Sequence, residues 1–209
     1  MKIAVICANG KAGQKITEEA LARGLNVTVV IRGKNKTNAT QVIQKDLFAL
    51  TAADLSGFDA VIDAFGAWTP ETLPQHSSSL KHLCDCLSGT NTRLLVVGGA
   101  GSLYLDAAHT KQLMDAEDFP AEYQPVATAS AQALTELRQR NDVQWTYVTP
   151  AADFRANGTK TGSYLLGGET FFVNDNGEST ISYADYAIAM IDEVTNGQHL
   201  QQRISVIAK

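Results

Sequence analysis

The chain is poor in cysteine, has no excess of positive charge and lacks any long apolar run. Each shortage excludes something. Three of its 209 residues are cysteines, Cys7, Cys84 and Cys86. The count is odd and two of them lie two apart, so a disulfide framework is not expected and a cytoplasmic setting fits. The four histidines, His76, His82, His109 and His199, make no zinc-type spacing with these cysteines, so no metal is expected. Lysine and arginine number 17 against 22 acidic residues, a net charge of −5. A general nucleic-acid binder or an acidic-membrane binder needs a basic face, so neither partner is expected. The apolar run after Lys2 is about five residues, too short for a signal-peptide core or a membrane span. No internal repeat, low-complexity segment or linker interrupts the chain.

Apolar residues make up 44% of the sequence, enough for one sizeable core, so residues 1–209 read as a single domain. Short β-branched runs recur: KIAVIC (2–7), NVTVVIR (26–32), QVIQK (41–45), DAVIDAF (59–65), RLLVVGG (93–99), VQWTYVTP (143–150) and RISVI (203–207). Several are almost continuously apolar, as in strands covered on both faces. Helices are expected between them over 11–23, 71–87, 125–140 and 183–195. The last begins after Ser182 with Asp185 three positions on, like a capping box. The alternation predicts a doubly wound, Rossmann-type parallel α/β sheet. One segment breaks it. Residues 162–180 read as a small hairpin-like excursion bending at Gly167-Gly168. With the residues before it, 151–180 form a candidate substrate-side lid.

The stretch CANGKAG (7–13) follows the first strand and opens the first helix. A phosphate-binding turn needs backbone N–H groups and a helix N-terminus behind them, with glycine where a Cβ would collide. Gly10 and Gly13 stand three apart in that register, whereas Cys7 occupies the place of the usual first glycine. Nineteen residues past Gly13 comes Arg32, followed by Lys34 and Lys36. An NAD-selective site carries a carboxylate here. Arginine suits a 2′-phosphate, so NADP(H) is expected over NAD(H). Asp46 and Leu47 follow the third strand at a position to meet the adenine. Ala64, Gly66 and Ala67 end the fourth strand and leave room for the ribose, flanked by Phe65.

With these features the chain resembles the atypical short-chain dehydrogenases/reductases in their NAD(P)H-binding, NmrA-like branch. It is similar to small bacterial proteins provisionally labelled NADH-flavin reductases. The resemblance runs nearly end to end, on ANGKAG, Arg32, DLFAL, DAFGAW, RLLVVGGAGSL, WTYVTPAADF and ISYADYAIAMIDE. It implies that Asn9, Gly10, Lys11, Ala12 and Gly13 cradle the pyrophosphate, and that Arg32 reads the 2′-phosphate. It implies that Asp46 and Leu47 contact the adenine, and that Phe65 and Gly66, beside Ala64, line the ribose. Gly98 to Ser102 would lie beside the nicotinamide ribose, and Pro150, Ala151 and Ala152 would back the ring. Asp153 and Phe154 fall where the family's substrate pocket opens.

The family's tyrosine acid and its lysine four residues later would align near Val126 and Ser130. Neither is present. A ketone needs a proton donor as its oxygen takes up charge, whereas a flavin or quinone draws its proton more easily. The expected activity is therefore NADPH-dependent hydride transfer to a flavin, quinone or similar flat acceptor, with flavin a substrate and not a prosthetic group. Ser102 and Tyr123 are the polar candidates near the reacting ring, and Trp68 and Phe154 the flat platforms for the acceptor. The alternative is a non-catalytic NADP(H) sensor acting through a protein partner. A monomer or a homodimer is expected.

Overall fold

Strands apolar on both sides must be covered on both sides, and the alternation of side chains along each strand divides the core in two. The computed structural model describes residues 1–209. Its strands are β1 (Lys2–Ile6), β2 (Asn26–Ile31), β3 (Gln41–Gln44), β4 (Ala60–Asp63), β5 (Arg93–Val97), β6 (Gln144–Thr149), β7 (Asp153–Arg155), β8 (Tyr164–Gly167), β9 (Thr180–Ser182) and β10 (Gln202–Ala208). The helices are α1 (Lys11–Ala22), α2 (Gln75–Leu87), α3 (Gln124–Leu137) and α4 (Tyr183–Asn196). The main sheet runs β3-β2-β1-β4-β5-β6-β10-β8. It is parallel except for β8, which lies antiparallel on β10.

Ile3 and Val5 of β1 turn to one face, into a core with Ile16 and Ala20 of α1 and Tyr186, Met190 and Ile191 of α4. Ala4 and Ile6 turn to the other, with Leu80, Leu83 and Leu87 of α2 and Leu134 and Leu137 of α3. The sheet order reverses beside β1, between its neighbours β2 and β4. In such sheets a crevice opens there at the carboxyl ends of the strands.

Two expectations change in detail. The helix expected from residue 71 begins at Gln75, after Pro74 at the N-cap. Ahead of it the Thr72 hydroxyl donates to the Thr69 carbonyl (3.0 Å) and accepts from the Thr69 N–H (3.2 Å), which holds a separate turn. In the excursion, the strand before Gly167-Gly168 does not fold back on its own continuation. It extends the sheet edge on β10, while the chain beyond the bend bridges to Tyr104 and later pairs β9 with β7. At α4, Ser182 Oγ accepts from the Asp185 N–H at 2.9 Å. The Asp185 carboxylate turns to the N–H groups of Thr161 and Gly162, tying the excursion's root to the helix start.

Candidate functional site

After β1 the chain turns sharply at Cys7, whose φ is +58°. This is the left-handed region that glycine enters freely and other residues seldom do. The turn is closed by a bond from the Gly10 N–H to the Cys7 carbonyl (2.9 Å). Gly10 then caps α1 without any side-chain bond. The N–H groups of Lys11, Ala12 and Gly13 have no partner in the protein, as the start of an uncapped helix leaves them. A Cβ on Gly13 would stand 2.8 Å from Ala8 Cα and from the Cys7 carbonyl oxygen, so only glycine lets α1 seat this closely on β1. Burial pushes the Cys7 thiol up to about 12, with Asp63 adding to the effect. That keeps the thiol neutral and unreactive.

Asn9 latches this turn to the loop after β2. Its Nδ2 donates to the Lys34 carbonyl and its Oδ1 accepts from the Lys36 N–H, both at 2.9 Å. The Asn9 side chain is thus committed to the fold, and it sets the basic loop beside the uncapped helix. Arg32 projects from that loop with its side chain 82% exposed, 3.7 Å from the Asp46 carboxylate. Asp46 caps a single helical turn, accepting from the Phe48 N–H at 2.9 Å. The Leu47 side chain is buried in the core, so only its backbone remains for an adenine contact.

At the end of β4 the Ala64 N–H donates to the Ile6 carbonyl (3.2 Å), joining this strand end to that of β1. Phe65 packs edge-on against His76, with ring centroids 5.8 Å apart. His76 is held by the Ala67 backbone, its Nε2 lying 3.0 Å from the carbonyl oxygen. Gly66 carries the chain past Trp68, which is 70% exposed. Beneath this loop, Asp63, Phe65, His76, Ser79, Ser130 and Tyr147 line a small cavity.

At the end of β5, a Cβ on Gly98 would lie 2.3 Å from the Tyr147 ring, and one on Gly101 would lie 2.6 Å from Ala127 Cβ. The glycines let the loop lie flat over β6 and α3. Ser102 is buried, and its Oγ and carbonyl accept from Arg203 at 2.9 and 3.0 Å. Arg203 also forms an ion pair with Glu169, which Arg138 shares. The Ser102 hydroxyl is therefore fixed in a buried guanidinium network. Tyr123 is half exposed in the turn before α3, so the two polar candidates are not joined in one hydrogen-bonded group. His109 stacks on Tyr104, with centroids 4.3 Å apart and planes at 6°.

Beyond β6, Pro150 and Ala151 are buried. The exposed Asp153 carboxylate bonds to Arg155 at 2.6 Å. Phe154 packs against Tyr183 and Tyr186 at 3.9 and 4.8 Å, partly buried among the side chains of the α1–α4 core. No group of three or more His, Cys, Asp or Glu side chains is placed to hold a metal ion. No helix is long and apolar enough to cross a membrane.

Three features suit a pyrophosphate-bearing dinucleotide: the free N–H groups of residues 11–13, the close approach at Gly13 and the exposed cation Arg32. Sequence reasoning passed over Asp63, Tyr147 and Arg203. The first two read as ordinary strand residues, and only the fold brings Arg203 to Ser102.

A family model described as NAD(P)H-binding matches residues 7–196. The uncharacterised protein YwnB of Bacillus subtilis is 45% identical over 212 residues, covering 100% of this chain and 99% of that protein. A crystal structure from Streptococcus pneumoniae, of a protein provisionally designated an NADH-flavin reductase, is 55% identical, with a TM-score of 0.98 and 100% of both chains covered. One from Bacteroides thetaiotaomicron, provisionally designated an epimerase, is 35% identical at a TM-score of 0.87, covering 99% of this chain and 96% of that one.

Proposed function

This chain belongs to the NAD(P)H-binding family, and on that premise we propose that it is an NADPH-dependent reductase of flavin, quinone or similar flat acceptors. The carrying observation is the uncapped start of α1, with its three free N–H groups latched by Asn9 to the loop of Arg32. When bound, the dinucleotide supplies a hydride. The N–H groups of Lys11, Ala12 and Gly13 hold the pyrophosphate, with Gly10 allowing its approach. Arg32, reinforced by Lys34, grips the 2′-phosphate. Asp46 and the Leu47 backbone rim the adenine, while Ala64, Phe65 and Gly66 line the ribose. Gly98 to Ser102 and Pro150 to Ala151 back the nicotinamide. Trp68 is the exposed platform for the acceptor, with Tyr123, Asp153 and Phe154 on the substrate side.

The missing Tyr–Lys dyad supports an acceptor that needs no strong acid, and the designation of the Streptococcus relative supports a flavin. The commitment of Ser102 to Arg203 favours a second reading, an NADP(H) sensor without turnover. Titration of the pure protein with NADPH and NADH is expected to show tighter binding of NADPH, and equal affinities would reject the Arg32 assignment. NADPH oxidation with FMN, riboflavin and quinones separates the two readings. Turnover above the free-solution rate is expected, and its absence with every acceptor leaves the sensor.

A further inference from the structure

Asp63 ends β4 and is buried, 4% exposed. Its Oδ1 accepts from the Phe65 N–H at 3.0 Å, and Oδ2 has no partner in the protein. No lysine or arginine pairs with it. The carboxylate instead lines the cavity beneath the Phe65–Gly66 loop, which has ≈ 20 Å³ of internal room, space for a single water. The polar groups that such a water would meet are Asp63, His76, Ser79, Ser130 and Tyr147.

No lysine or arginine lines the cavity, and His76 is the one basic side chain there. From the end of β1 comes the Cys7 thiol, pushed by burial up to about 12. From α2 come Cys84, also pushed up to about 12, and His76, whose Nε2 is held by the Ala67 backbone. From β6 comes Tyr147, pushed by burial up to about 12, with the Gly99 N–H directed at its oxygen. From β5 and α3 come only Val96, Val97, Ser130 and Ala133. Burial accordingly pushes the Asp63 carboxyl up to about 6.

The cavity lies under the loops that the proposed function assigns to the cofactor. Tyr147 supports Gly98, and the Ser130 side chain lies 3.8 Å from where a Cβ on Gly99 would stand. A dinucleotide above would cover the cavity and bring phosphate charge, and both favour the neutral carboxyl. The reduced nicotinamide ring is neutral, whereas the oxidised ring is cationic and favours the carboxylate.

Resting on that assignment of the cleft, we propose that Asp63 couples the redox state of the bound dinucleotide to a proton. Its Oδ2 takes up a proton beneath NADPH and remains ionised beneath NADP+. Asp63 thereby becomes a determinant of which redox form is held, and the preference moves with pH.

The test uses binding alone. Dissociation constants for NADPH and NADP+ are measured by calorimetry between pH 6 and 8, on the native protein and on Asp63→Asn. Taking their ratio removes protonation common to the two ligands' phosphates. One linked proton changes an affinity about tenfold per pH unit. The native ratio is expected to shift toward NADP+ by about three- to tenfold per unit as pH rises, and to stay flat in Asp63→Asn. Should Asp63→Asn not fold, the ¹³C resonance of the Asp63 carboxyl in labelled native protein reports the same equilibrium. Its midpoint is expected to rise with NADPH and to rise less, or fall, with NADP+. An Asp63→Asn ratio that follows the native one overturns the proposal, as does a carboxyl midpoint that both ligands leave alike. Failure of both dinucleotides to bind overturns the cleft assignment with it, a separate and recognisable result.

Discussion

Glu193 and Asp63 are both buried carboxylates, 6% and 4% exposed, and the fold surrounds them in opposite ways. Glu193, near the end of α4, accepts from Arg93 Nη2 at 2.6 Å and from the His199 N–H at 3.1 Å, and its Oε2 lies 2.7 Å from His199 Nδ1. Although burial works against its ionised form, these hydrogen bonds hold its carboxyl below the usual glutamate range. Asp63, at the carboxyl end of the sheet, has one backbone N–H and is pushed upward. A buried acid surrounded by such donors is a joint between elements, here α4 to the start of β5. A buried acid left without them lowers the stability of the fold at neutral pH, and such groups concentrate where a site needs them.

The largest effect expected from breaking this contrast is at Glu193. Glu193→Ala leaves the Arg93 guanidinium, 12% exposed, without its carboxylate. The loss of stability is expected to be about 3 kcal/mol, the lower end for breaking a buried pair, read from urea unfolding at pH 7. Because the carboxyl is lowered in the folded state, the stability it contributes is present above its ordinary pKa and fades as pH falls.

Asp63→Asn should act in the other direction. The carboxyl is raised from 3.8 to about 6 in the folded protein, so the folded state favours the neutral acid. Stability is highest below the unfolded value and falls as pH rises toward 6, and the ionised group then costs about 3 kcal/mol. An asparagine that keeps the Phe65 bond is expected to recover about 2 kcal/mol of this at pH 7 and almost nothing at pH 4. Urea midpoints at the two pH values check it. Equal gains at both would mean that charge is not the cause.

How much of this was legible in the sequence follows from range. The seven parallel strands and their covering helices carry their own periodicity, so KIAVIC or VQWTYVTP announces a doubly buried strand by itself. The glycine turn is local too, and Gly13 reveals its purpose within six residues of Cys7. Arg203 lies 101 residues from Ser102, and nothing in RISVI shows that its arginine crosses to that loop. The Asp63 cavity draws its walls from β4, β5, β6, α2 and α3. The helix start at Gln75 was missed because Thr69 and Thr72 close a turn of their own.

The smallest expected effect sharpens the same contrast in the backbone. Close to Glu193, the left-handed residue that ends α4 is Gly197, with φ +63°, the residue that suits a helix terminus. Close to Asp63, the left-handed residue is Cys7, where a Cβ makes the same conformation unfavourable by about 1 kcal/mol. The sulfur gives part of this back by packing against the α2–α3 core. Cys7→Gly removes the strain and the packing together, and it also gives the unfolded chain more freedom. The net change in stability is expected within about 1 kcal/mol, and NADPH affinity should stay within a few-fold, because the donors of residues 11–13 do not depend on the thiol. Urea unfolding and an NADPH titration read the two quantities separately. Unchanged stability with lost binding would show that the Cys7 side chain shapes the site itself, and the contrast would then be one of chemistry as well as of strain.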